Sequence, residues 1–457
     1  MTFQEARIYL NSFIDSEQSL DQLTNKAFKL ERVFQVLNAL DNPHKKLKAI
    51  HVAGSKGKGS TSTMIAHILK EAGYKVGLYT SPHIQSYNER IRILSHEAPT
   101  SANMLFSDCI SDQQLAESLT SICPIIEKFR NDPTLGALTF YEVFTVLAFY
   151  FFDQEQVDFA VIETGLGGRL DATNVIDSMI AVITPISLEH THILGDTLDK
   201  IAFEKAAIIK NFQDAVIAPQ PPAAKIVIFE HCEQFKIKPV DVSQVVDFQE
   251  IKQDLNSQTI QLRTTEKVYQ NLEIALLGQH QIWNAATAII VAERIGKRGF
   301  AVNMDAIYRG LKTVFWPVRF EVIRKNPTII LDGAHNEDSM LHLVNTVSSL
   351  FGDQKVHLIF GVSNDKKIKE MCTAIKSVSR RVYITKADHK RAYHFSDDEL
   401  SNIFFDVDIV KTNTVAEALR AAQDDCSPED IILITGSIFL ASEARSLLLS
   451  RTDYVSI

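Results

Sequence analysis

Cysteine is scarce. The chain has five in 457 residues, at positions 109, 123, 232, 372 and 426, an odd number with no CxxC spacing. Such a pattern provides neither a disulfide framework nor a thiolate zinc motif, and it fits a reducing compartment with structural thiols. A basic excess is missing as well: 47 Lys and Arg stand against 56 Asp and Glu, for a formal charge of −9. No broad nucleic-acid face is expected, because neutralising a phosphate backbone takes concentrated cations, although a local site for a small anion stays open. Long apolar runs are absent. The greasiest stretch, TFYEVFTVLAFYFF at 139 to 152, contains Glu142 and falls short of the ~20 residues a bilayer span needs. The N-terminal MTFQEARIYLNSFIDSEQ has no unbroken apolar core, so it reads as an amphipathic helix and not a signal peptide. Neither internal repeats nor low-complexity segments stand out. A cytoplasmic protein without membrane or nucleic-acid partners is the expectation.

What is present is ordinary globular composition, 46% hydrophobic and 23% charged, at a length suited to two or three domains. From residue 48 short β-branched runs alternate with helical patterns: AIHVAG, a helix over 59 to 72, KVGLYTS, a helix over 139 to 156, DFAVIETG, MIAVITPI and DAVIAPQ, with helices near 199 to 210 and 223 to 235. That alternation predicts a parallel sheet covered by helices. The stretch from 96 to 136 reads as an irregular insertion around one helix. After WPVRFEVI a second series follows, TIILDGA, KVHLIFGVS, RVYITKA, VDIVKT and DIILITGS, which predicts a second doubly wound unit. The boundary is placed near 314 to 318, where Trp316 and Pro317 interrupt the pattern.

Between the first strand and the first long helix lies HVAGSKGKGSTST, residues 51 to 63. A phosphate cradle needs glycines that let successive N–H groups face one anion, a helix N-terminus behind them, and a lysine for the terminal phosphates. Gly54, Gly57, Lys58, Gly59 and Ser60 supply these. The common GxxxxGK[ST] spacing is not kept, since position 52 is Val; the match is Gly54-x-x-Gly57-Lys58-Gly59-Ser60. The plainer alternative is a glycine-rich turn with solvated lysines, Lys56 among them.

Acidic and imidazole groups gather at later strand ends. VIETGLGGRLDATN puts Glu163 at the end of an apolar strand and Asp171 past a glycine-rich turn. Ligands of doubly wound sheets collect at the carboxyl ends of strands, so Glu163 is a metal-ligand candidate or else a structural carboxylate. VITPISLEHTHILGDTLDKIAFEKAAIIK ends a strand with Glu189, His190 and His192, and carries Lys205 on a helix. Lys205 is by default a snorkelling lysine; if buried, its lowered pKa leaves a neutral amine able to react with carbon dioxide. In IILDGAHNEDS, Asp332 ends a strand and Gly333, His335 and Asn336 form the turn before a helix, where Asn336 is at minimum an N-cap. Arg319 follows Trp316 and suits a phosphate or an aromatic face.

Taken in order, GSKGKGS, YTSPHIQSYNERI, TFYE, ETGLGGRLDATN, LEHTHILGDTLDKIAFEKAAIIK, GQHQIWNAATA, WPVRFE and LDGAHN resemble the folylpolyglutamate synthase and dihydrofolate synthase family, a branch of the Mur-ligase-like ATP-dependent amide ligases. The motifs run from about residue 51 to 340. The resemblance implies an α/β fold of two domains: an N-terminal P-loop, parallel-sheet, ATPase-like domain over 1–316 that binds ATP and folate, and a smaller C-terminal Rossmann-like ligase domain over 317–457. It implies that Gly57, Lys58, Gly59 and Ser60 hold ATP phosphates, with Asn284, Arg319, Asp332 and His335 as further ATP positions. Ser81, Glu163 and His190 would surround Mg2+, and Lys205 matches a lysine carbamylated in the family, which makes it a carboxylate-like metal ligand. Lys58, His190 and Lys205 are the implied catalytic groups. Thr139, Phe140, Tyr141 and Glu142, with Leu170, Asp171 and Ala172, match segments that contact the pterin. Two departures are small: Ser55-Lys56 stands where the family more often has Thr-Asn, and Ala207 where it has Gly.

The implied reaction ligates L-glutamate to dihydropteroate, to a reduced folate, or to both, through an acyl phosphate made at the expense of ATP, in a monomer. Another Mur-type ligase is the alternative within the class, but only about 47 residues precede AIHVAG, fewer than an extra N-terminal domain usually needs. Outside the class stands a nucleotide-dependent regulatory ATPase without ligation. A dinucleotide redox protein is poorer still, since no GxGxxG follows the first strand.

Overall fold

The computed structural model describes residues 1–14, 29–96, 106–364 and 366–450. The end of the expected N-terminal helix (15–18) and the first part of the expected insertion (97–105) lie outside them. The apolar runs become strands: β1 (Ala49–Ala53), β2 (Val76–Tyr79), β3 (Ile91–Leu94), a short pair β4 (Asn131–Asp132) and β5 (Gly136–Ala137), then β6 (Phe159–Glu163), β7 (Ile180–Ile183), β8 (Asp214–Ile217) and β9 (Val240–Asp241). Seven of these form one sheet in the order β3-β2-β6-β1-β7-β8-β9. Strands β1, β2, β6 and β7 are buried throughout, which is why they read as continuous β-branched runs and pair in parallel with both faces covered. The edge strand β3 departs from the expected parallel sheet by pairing antiparallel with β2.

One face of this sheet carries a core rich in phenylalanine, built around the helix Phe140–Gln154. The other core gathers Ala53, Ile183, Ile201, Ala206, Ile217 and Ile228, from strand ends and the helices Leu198–Ala206 and Pro222–Gln234. The helix Lys58–Glu71 packs on Met304–Thr313 at very short range: a Cβ on Gly310 would lie 2.7 Å from the Ile68 Cα. A larger residue there would force the helices apart.

Strands β10 (Val246–Gln253), β11 (Gln258–Thr264) and β12 (Val268–Ile274) make a three-stranded sheet that the parallel-sheet expectation did not contain. Its signal is the period-two alternation of β11, where Gln258, Ile260, Leu262 and Thr264 are buried and the residues between them are not. The last sheet comprises β13 (Glu321–Lys325), β14 (Thr328–Leu331), β15 (Val356–Phe360), β16 (Ser379–Ile384), β17 (Asp408–Lys411) and β18 (Ile431–Thr435). Its order is β13-β14-β18-β15-β16-β17. All the expected strands of the second series pair in parallel, and β13 adds an antiparallel edge. The chain forms two compact units: residues 1–248, 262–270 and 283–314 in the first, and 249–261, 271–282 and 315–457 in the second. Among the described residues no helix is long and apolar enough to cross a membrane.

Candidate active site

Adjacent parallel strands end on the same edge, so the loops after β1, β2, β6 and β7 meet where such sheets bind ligands. The loop after β1 turns at Gly54 and Gly57, with φ of 151° and 79°. Gly57 is the N-cap of Lys58–Glu71 and offers no side chain to the first N–H groups. A helix start in that condition is an anion site. The loop is clamped from behind: the Ser55 and Lys56 N–H groups donate to the Pro185 carbonyl at 2.9 and 3.0 Å, and the Ser55 hydroxyl donates to the Ser187 carbonyl. Asn284, buried on the helix Gln279–Lys297, lies against Gly57 so closely that a Cβ there would overlap its Oδ1.

Two lysines converge on one backbone oxygen. Lys58 Nζ donates to the Gly54 carbonyl at 3.1 Å and Lys205 Nζ donates to the same carbonyl at 2.8 Å. Lys205 is buried, 1% exposed, so it does not snorkel. It also donates to Glu189 Oε1 at 2.9 Å, while Lys56 Nζ stands 3.9 Å from Glu189 Oε2. Burial pushes the Lys205 ammonium down to about 8, helped by the charges of Lys58 and Lys56 and opposed by Glu189. Burial also works against ionisation of Glu189, but Lys205, Lys58 and Lys56 together outweigh it and hold the carboxyl well below its usual range. Sequence reasoning had Glu189 at a strand end without assigning it a role; nothing local distinguishes it from its neighbours.

Glu163, at the end of β6, is buried and accepts from the Ser81 N–H at 3.3 Å, so two of the three expected magnesium positions are neighbours. His190 is half-buried in a left-handed conformation, φ 46°, and its ring meets that of His192 edge-on. The two expected pterin segments also meet. Tyr141 Oη donates to Asp171 Oδ1 at 3.3 Å, and Asp171 further accepts from the N–H groups of Gly165, Leu166 and Thr173 and from the Thr173 hydroxyl. Burial raises the Asp171 carboxyl despite these donors. Its carboxylate thus shapes the 164–175 loop, with Leu170 and Ala172 carried beside it. Glu142 is likewise engaged: it completes a capping box with Thr139, next to Phe140, and pairs with buried Arg32 at 2.7 Å. Arg32 carried no sequence signal.

The remaining three positions lie in the second unit. Asp332 follows β14 and accepts from the N–H groups of Phe320 and Ala334; burial raises its carboxyl, with Arg319 opposing. Arg319 Nη1 donates to the Val318 carbonyl and lies where a side chain on Gly333 would fall. Val318 and Phe320, on either side of it, hold φ of 50° and 47°. A β-branched residue in that region is strained, and paired strain around one arginine marks a site over-determined by its surroundings. His335 Nδ1 contacts the Gly333 carbonyl at 2.8 Å, and Asn336 caps the helix Glu337–Phe351.

Residues 130–292 match the Mur ligase middle domain and residues 318–438 the Mur ligase glutamate ligase domain. A dihydrofolate synthase/folylpolyglutamate synthase of Bacillus subtilis (strain 168) is 33% identical over 426 residues, 92% of this chain and 94% of its own. The chain belongs to the folylpolyglutamate synthase/dihydrofolate synthase family. A folylpolyglutamate synthase of Lacticaseibacillus casei is 32% identical over 459 residues, 98% of this chain and 99% of its own. Among solved structures, an FPGS–AMPPCP–folate complex superposes with a TM-score of 0.82 at 31% identity, covering 98% of this chain and 100% of that one. As a member of this folylpolyglutamate synthase/dihydrofolate synthase family the chain is a C–N ligase, and its two α/β units follow the architecture of those structures.

Proposed function

We propose that this ligase uses ATP to join L-glutamate to the carboxylate of dihydropteroate and of reduced folates. A substrate carboxylate oxygen attacks the γ-phosphorus, ADP leaves, and the resulting acyl phosphate is attacked by the glutamate amine, with loss of phosphate and a proton. The observation that carries the reading is the glycine-capped helix with Lys58 at its first turn beside buried Glu163 and Lys205 and the partly buried Glu189. The chain's own contribution is charge placement. The Gly57–Ser60 N–H groups and the Lys58 ammonium face the phosphoryl oxygens, where stabilising developing charge yields the largest part of such rate enhancements. Asn284 in the first unit and Arg319, Asp332 and His335 in the second are proposed nucleotide positions. The segments 139–142 and 170–172 are proposed pterin contacts made from surfaces other than the engaged carboxylates of Glu142 and Asp171.

Hard oxygen donors suit Mg2+, and the Glu163 carboxylate next to Ser81 fits, with His190 as a third group. When bound, Mg2+ supplies charge neutralisation to the phosphates. Lys205 as an ammonium paired with Glu189 does not fit as a ligand; as a carbamate it does, and its lowered pKa favours the neutral amine that carbamylation needs. The deciding assay is ADP release with dihydropteroate and, separately, with tetrahydrofolate, each with glutamate. Both should support turnover, and Lys58→Ala should lose at least ~100-fold. Release with neither substrate would refute the reading, and turnover without pterin or glutamate would indicate a regulatory ATPase.

A further inference from the structure

Far from the carboxyl ends of the strands, the second unit brings together three side chains that the proposed chemistry does not use. His357 is the second residue of β15, Asp430 immediately precedes β18, and Cys426 is the C-cap of the helix Val415–Asp425. Strands β15 and β18 pair in parallel, so the cluster lies at their amino ends, the opposite end from Asp332. One ligand atom from each of His357, Cys426 and Asp430 lies within 4.8 Å of the others, and this is the only such group among the described residues.

The tautomer of His357 follows from its neighbours. Tyr383 donates its single hydroxyl proton to Asp425 Oδ2 at 2.7 Å, because a carboxylate can only accept. The Tyr383 oxygen therefore accepts from His357 Nδ1–H at 3.2 Å. That leaves Nε2 as the nitrogen with a lone pair, and it is buried without a hydrogen-bond partner among the described residues. An imidazole fixed through its other nitrogen by a polar neighbour is the arrangement that protein metal sites use to orient a histidine ligand. Asp430 is held as well: Oδ2 accepts from the Ser427 N–H and hydroxyl at 2.8 Å, while Oδ1 meets the largely exposed Arg380 at 3.5 Å.

We propose that His357, Cys426 and Asp430 form a binding site for one divalent transition ion of the zinc class. Imidazole, thiolate and carboxylate together suit Zn2+ or Co2+ better than Mg2+. Bonds of about 2.0–2.3 Å place tetrahedral ligands roughly 3.3–3.7 Å apart, so ligand atoms that already lie within 4.8 Å of one another close on an ion by side-chain adjustment. Binding releases the thiol proton to solvent and leaves the fourth position to water. A site at the amino ends of the strands is away from the ligand edge of the sheet, so the ion ties the segment 426–430 to the start of β15 and takes no part in ligation.

The test is a Co2+ titration of the full-length protein after chelator treatment, followed by competition with Zn2+. About one equivalent should bind with a thiolate-to-cobalt charge-transfer band and tetrahedral visible bands, and Zn2+ should abolish both. Cys426→Ser should lose the charge-transfer band while keeping ADP release. Tyr383→Phe should keep the band but bind ~10–100-fold more weakly. Absence of the band in the unsubstituted protein, or its persistence in Cys426→Ser, overturns the site. Should Cys426→Ser fail to fold, Asp430→Asn serves in its place, and undiminished affinity in it has the same meaning. Tyr383→Phe binding as tightly as the parent protein overturns the orienting role of the tyrosine.

Discussion

Replacing Gly57 by alanine probes the phosphate loop at its tightest point. Two costs are separable. At φ 79° an L-residue is disfavoured by roughly 1–2 kcal/mol. The new Cβ would overlap Asn284 Oδ1 and lie 3.1 Å from its Cγ, and Asn284 is buried, so the crowding resembles core overpacking at about 1–3 kcal/mol. Alanine's stiffer unfolded chain returns roughly 0.4–1 kcal/mol, which leaves a net loss of about 1–5 kcal/mol. Gly299→Ala is the matched control: its φ is 90° and no atom of the described residues lies within 4 Å of the added Cβ, so only the backbone cost applies. The difference between the two variants, about 1–3 kcal/mol, is the cost of displacing Asn284. Urea denaturation gives the stabilities, and calorimetric titration with ATP gives the second readout. Gly57→Ala should bind ATP at least ~10-fold more weakly, whereas Gly299→Ala should bind it normally. Equal stabilities for the two variants, with ATP affinity unchanged in Gly57→Ala, would refute both the steric reading and the placement of the nucleotide.

Four further outcomes follow from buried, ion-paired or strained positions. Glu142→Ala should destabilise by about 3–5 kcal/mol by stranding the Arg32 charge, and Arg32→Met/Glu142→Met should recover much of that in thermal unfolding; equal losses for single and double variants would contradict it. Lys205 titrates near 8 in the fold against 10.5 unfolded. Between those values the unfolded chain holds the extra proton, so stability rises with pH there, by at most roughly 3 kcal/mol; Lys205→Met should show no such rise in its urea midpoint. For Glu189 the sign is the same, in a more acidic window: its depressed carboxyl contributes stability that is complete above about pH 4.5 and is lost as pH falls further, a loss that Glu189→Gln should not show. Phe212 is 96% exposed with φ 64°, so Phe212→Asn should raise the thermal midpoint by a gain of about 0.5–1 kcal/mol, because asparagine tolerates the left-handed region; a lowered midpoint would mean that the exposed ring has a packing role.

Much of the sheet architecture was legible because its information is local. The runs AIHVA, FAVIE, IAVI and IILIT become strands buried along their whole length, and burial on both faces is what removes polar residues from a parallel strand. The two antiparallel edges and the β10–β12 sheet were missed: the edge strands are short and mixed in composition, and β11 shows only alternation. The candidate site divides the same way. Gly57 and Lys58 could be chosen from the loop alone, since the glycine cap and the lysine at the helix start are neighbours in the chain.

The sequence by itself determined the elements, their order and the residue types available at each strand end, because periodicity and backbone preference act over a few residues. Which of those residues act together was decided only by the tertiary structure. The sheet order β2-β6-β1-β7 is not the chain order, and it is this order that sets Lys205 on the carbonyl of Gly54, 151 residues away. The same folding commits Glu142 to Arg32, selects Glu189 over its neighbours as the partner of the lysines, and gathers His357, Cys426 and Asp430 at the far end of the second sheet. The physical reason is that a shared hydrogen-bond acceptor or a shared desolvated volume is a property of chain closure, and no local window of sequence contains it.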